Sequence, residues 1–115
     1  MTADDFNTLI DSLTNLQGQL VQLEAALNDK KQTQAAQAAA KAKAVTKTIE
    51  DLQSQALGQW TEDQDPAVAA ISQMNGPLQG CIDAISQNIQ LADNVTKAFA
   101  TVNQMVTKAA SFLKA

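Results

Sequence analysis

"NDKKQ", residues 28–32, decides whether the first half of this chain is one long helix or two shorter ones. Before it, Leu9, Leu13, Leu16, Leu20, Leu23 and Leu27 recur at steps alternating between 4 and 3, the seam that a helix offers to a partner helix. Thr2, with Asp5 three residues on, can cap the start. Beyond it, Ala38, Ala42, Val45, Ile49, Leu52 and Ala56 resume the rhythm after a step of 11 residues from Leu27. Such a stutter relaxes a supercoil without requiring a break. The stretch has neither glycine nor proline, and "AAQAAAKAKA", residues 35–44, is a strong helix former. Continuity is therefore favoured over a turn, and a first helical arm is expected over about residues 3–60.

A clearer break lies within "LGQWTEDQDPAV", residues 57–68, where Asp65 and Pro66 supply a capping side chain and a residue pre-set for the first helical position. The second arm is expected over about residues 66–113, with Ile71, Met74, Leu78, Cys81, Ile85, Asn88, Ala92, Val95, Phe99, Val102, Val106, Ala109 and Leu113 as its seam. "NGP", residues 75–77, lies inside that arm, and proline there predicts a kink or short interruption. Folding the arms together about residue 63 brings Asp11 toward Lys114, Asp29 toward Lys97, Lys31 toward Asp93 and Lys43 toward Asp83. Folding at residues 30 and 31 instead brings Asp11 toward Glu50, a like pair. Exposed pairs contribute only about 0.2–1 kcal/mol each, so charge tilts the register toward the long hairpin without deciding it.

The fold class is thus all-α, a single domain over residues 1–115 built on an antiparallel hairpin. Two helices alone bury too little to offset the ordering of the chain. Ile82 and Ile89 on one flank, with Met105 and Phe112 on the other, make the apolar stripe wider than a two-helix contact uses. Either two hairpins pair into a four-helix bundle, or the chain folds into three or four shorter helices around itself.

Composition narrows the chemistry. The chain has no histidine, tyrosine or arginine and one cysteine, Cys81, so the usual general base, nucleophile pairing and anion clamp are missing and an enzyme is not expected. No intrachain disulfide can form, and Cys81 is read as a small apolar side chain. Glu62, Asp63 and Asp65 lack the spacing of a calcium loop and are read as complementing the positive end of the second arm, so no metal and no cofactor are expected. A net charge of −4 with lysine as the sole cation argues against nucleic acid. Lys30, Lys31, Lys41, Lys43 and Lys47 form the basic stretch, but the apolar side beside them is mostly alanine, too small to anchor in lipid. Neither a membrane span, a signal peptide nor a small-molecule substrate is evident, and the default expectation is a cytoplasmic protein. Fifteen glutamines are read as solvated helix faces that could also lie against other surfaces without electrostatic cost.

The expected function is a non-enzymatic helical interaction or assembly protein, self-associating as a homodimer or clasping another helical protein. Its contacts are expected at Ile82, Ile89, Met105 and Phe112 of the wide stripe. Trp60 is expected to close the end of the core at the bend near Leu57 and Val68, with a partner hot spot at the tip as its functional rival. In size and hairpin pattern the chain resembles the small secreted helical hairpins whose turn carries Trp-X-Gly, although here the order is Gly58, Gln59, Trp60, Thr61. The composition is similar to helical subunits of export filaments and to granule-coating phasins. These likenesses imply the alternative function, a leaderless exported or surface-acting hairpin.

Overall fold

The computed structural model describes residues 3–54 and 65–112, which form four helices: α1 (Ala3–Asp29), α2 (Ala35–Ser54), α3 (Asp65–Ser86) and α4 (Leu91–Ala110). No strand occurs among the described residues. The all-α bundle is therefore of the kind in which the chain folds around itself. Its extents are 45 × 21 × 18 Å, whereas one helix spanning residues 3–60 would be about 85 Å long.

NDKKQ is a turn, and the expectation of a continuous first arm is corrected there. Gln32 N–H donates to Leu27 C=O at 2.8 Å and Lys31 N–H to Asn28 C=O at 3.0 Å, with Lys31 at φ 58°. This is a Schellman closure, whose left-handed residue is usually glycine but here is lysine. The same device breaks the second arm, where the periodicity predicts no break. Ile89 N–H donates to Ala84 C=O at 2.9 Å and Asn88 N–H to Ile85 C=O at 3.0 Å, with Asn88 at φ 62°. Gln90 follows at φ 42°, and Asn94 Nδ2 donates back to Ile89 C=O at 2.8 Å, tying down the start of α4.

Two antiparallel hairpins result, α1–α2 and α3–α4. They join through α1 and α3, which run parallel: Ser12 and Gln19 meet Asn75, while Gln19 and Gln22 meet Gln79. The register expected from folding about residue 63 is thereby overturned. Asp29–Lys97, Lys31–Asp93 and Lys43–Asp83 do not pair, and Lys114 lies outside the described residues. The ion pairs found are local instead, Lys30–Asp29 at 3.5 Å and Lys47–Asp51 at 2.9 Å. Asp11 and Glu50, the like pair that weighs against folding at NDKKQ, are both exposed, so water and salt screen their repulsion.

"LQGQL", residues 16–20, shows how α1 holds its two neighbours. Leu16 and Leu20 are fully buried, Gln17 donates to Thr46 on α2, Gln19 reaches α3, and Gly18 is exposed. All six leucines of the expected seam, Leu9 to Leu27, are at most 1% exposed. Packing is close between α1 and α2, α1 and α3, and α3 and α4, but light between α2 and α4. The bundle is consequently a chain of contacts in the order α2, α1, α3, α4, with one weakly closed side.

Helix α3 continues through Pro77, so of the two outcomes expected there the short interruption does not occur. Gln73, Gly76, Pro77 and Gly80 are all exposed, so the carbonyl deprived of the proline's missing amide faces water. Gly76 has no Cβ to meet the proline ring, which removes part of the usual penalty on a helical residue before proline.

Candidate functional site

The five residues expected to form a contact surface divide by burial. Ile82 is 2% exposed, and Met105 and Phe112 are fully buried, all within the chain's own core. The wide stripe is covered from inside, because the breaks at NDKKQ and at residues 87–90 place four shorter helices around one another. Reaching those three side chains from outside would require opening the bundle. Ile89 stays at the surface at 50% exposure, a consequence of its place in the turn after α3. Trp60 lies outside the described residues, as do Leu57, Glu62 and Asp63. Cys81 is a free, half-buried thiol packed against the core.

The most developed polar constellation is built from glutamines that the sequence reading leaves in solvent. Gln19, only 5% exposed, donates through Nε2 to Asn75 C=O at 2.8 Å and to Gln79 Oε1 at 3.3 Å. Asn75 Nδ2 returns to Gln19 Oε1 at 3.0 Å and to Ser12 C=O at 3.3 Å. Gln79 Nε2 then donates to Gln22 Oε1 and to Asp83 Oδ1, each at 3.0 Å. Each of these amides finds a complementary group, most of them across the α1–α3 contact, so the ladder fixes register and pairing rather than offering a reactive group. The sequence signal is present: Gln19 lies next to Leu20 and three residues beyond Leu16, which places it on the flank of the leucine seam.

The exposed side of α2 has another character. Ala36, Ala40 and Ala44 form an outward ridge beside exposed Gln37, Lys43 and Lys47. On α4, Gln104, Thr107 and Lys108 line an open concavity of about 290 Å³. Among the described residues no group of three or more histidine, cysteine or acidic side chains could hold a metal ion, and no helix is long and apolar enough to cross a membrane. Comparison with family models, curated proteins and solved structures finds no match.

Proposed function

We propose that this chain is a non-enzymatic assembly protein that associates with a second copy of itself through the outer face of α2. The observation that carries this reading is the exposed ridge of Ala36, Ala40 and Ala44 on α2, which like α4 packs closely on only one neighbour. Side chains that end at Cβ let another backbone come near, and small residues facing one another let helices pack at short range. A two-fold contact centred on Ala40 sets Ala36 against the other copy's Ala44 and Lys43 against its Gln37. No lysine then meets a lysine, and the glutamine lies in the contact without an ionic desolvation penalty.

Sedimentation across a concentration series tests the reading. The unmodified protein should gain mass with concentration, while Ala40→Arg should stay monomeric and match the melting temperature of the unmodified protein at dilutions where that too is monomeric, because position 40 is exposed in the single chain. A protein that remains monomeric at every concentration would overturn it.

A further inference from the structure

"NGP", residues 75–77, combines a vulnerable chemical step with protection supplied from another helix. In an open chain, the amide nitrogen of a glycine can attack the side-chain carbonyl carbon of a preceding asparagine. A bond forms between Gly76 N and Asn75 Cγ, the Cγ–Nδ2 bond breaks, and ammonia leaves. Water then opens the cyclic imide to aspartate or isoaspartate, so asparagine and water become acid and ammonia with no redox change. Glycine is the neighbour that hinders this attack least.

Two features of the folded chain oppose it. Helix α3 runs unbroken through Asn75 and Gly76, which commits the glycine amide to the helical ladder and holds it in the wrong geometry for ring closure. The leaving nitrogen is also engaged: Asn75 Nδ2 donates to Gln19 Oε1 at 3.0 Å and to Ser12 C=O at 3.3 Å, both on α1. The helix is intrinsically weak at this point, since Gly76 lowers helix propensity and Pro77 removes a ladder bond. Its persistence there depends on α1.

We propose that Asn75 is a deamidation site gated by separation of α1 from α3, and that its conversion prevents the two helices from closing again. An aspartate carboxylate in place of this amide would lack the donor that now serves Gln19 Oε1 and the Ser12 carbonyl. Isoaspartate would add a backbone methylene in the middle of α3. Either product takes a donor away from acceptors inside the α1–α3 contact, so opening that is reversible before conversion becomes permanent after it.

Incubation of the full chain at mildly alkaline pH, with mass spectrometric mapping of each asparagine, tests this. In native buffer Asn75 should persist, and its conversion should accelerate in step with the unfolded fraction across a urea series. Gln19→Ala should speed conversion in native buffer by at least about tenfold, the factor that corresponds to about 1.4 kcal/mol of lost closure. Gly76→Ala should suppress conversion in urea. Equal rates in native buffer and in urea would overturn the gating, whatever the variants do. Chromatographically separated converted chain that refolds to the original melting temperature would overturn the locking.

Discussion

Lys31 occupies a backbone conformation that an L-residue adopts at a cost of roughly 1–2 kcal/mol and that glycine adopts freely. Lys31→Gly should therefore stabilise the chain by about 0.5–1 kcal/mol, after allowing for glycine's greater freedom when unfolded. Thermal denaturation should show a rise of a few degrees, and a fall would contradict the Schellman assignment. Asn88→Gly should gain less, because asparagine tolerates the left-handed region. At the opening of α2, Gln34 is a poor cap: its C=O accepts from Ala38 N–H at 3.1 Å, while its Oε1 is buried without a partner. The first turn of α2 also carries no acid. Gln34→Asp should both cap the helix and complement its dipole, adding about 1 kcal/mol measured by urea denaturation. Lys31 and Gln34 explain why NDKKQ does not read as a turn. Glycine at the closing position and a short polar cap before the next helix are the marks of one, and here lysine and glutamine stand in both places.

At the scale of elements, the leucine seam of α1 is legible in the sequence because six identical side chains in strict alternation leave one orientation for the helix. The seam of α4 is legible in period but not in phase. Val95, Val102 and Ala109 are buried as expected, yet Ala98, Met105 and Phe112 complete the face, while Phe99 and Val106 are only partly buried. An apolar stripe this broad supports more than one orientation, and the turn at residues 87–90 rotates α4 away from the phase inherited from α3. Glycine placement gives the prediction at this scale. A methyl group added at Gly18, Gly76 or Gly80 meets nothing within 4 Å outside its own chain neighbourhood. Gly18→Ala and Gly80→Ala should each stabilise by roughly 0.5–1 kcal/mol through helix propensity. Gly76→Ala should gain nothing or lose stability, since its new Cβ would crowd the Pro77 ring. Equal gains at all three positions, measured by calorimetry, would show that the proline imposes no local restriction.

For the whole molecule, the width of the apolar stripe correctly requires additional coverage, but its source depends on two turns that carry no glycine. Of the expected contact residues, only Ile89 is at the surface among those the structure describes. Phe112→Ala should therefore cost about 3–5 kcal/mol as a core truncation, whereas Ile89→Ser should change stability by less than about 0.5 kcal/mol. The contact order α2, α1, α3, α4 carries a further consequence for how the bundle opens. Helix α1 is held on both flanks, by the Gln17–Thr46 bond toward α2 and by the amide ladder toward α3, and six buried leucines lie between. Helix α2 contributes two alanines, Val45 and Leu52 as its buried residues and leans only lightly on α4. Removing α2 breaks one close helix contact and gives up few large side chains of its own, whereas removing α1 breaks two and uncovers the whole leucine seam. Native-state hydrogen exchange should accordingly show α2 opening at a lower free energy than α1, with the slowest amides around Leu16 to Leu23. Protection of α2 equal to that of α1 would mean that the two helices open together as one cooperative hairpin, and that the light α2–α4 contact does not set where the bundle first comes apart.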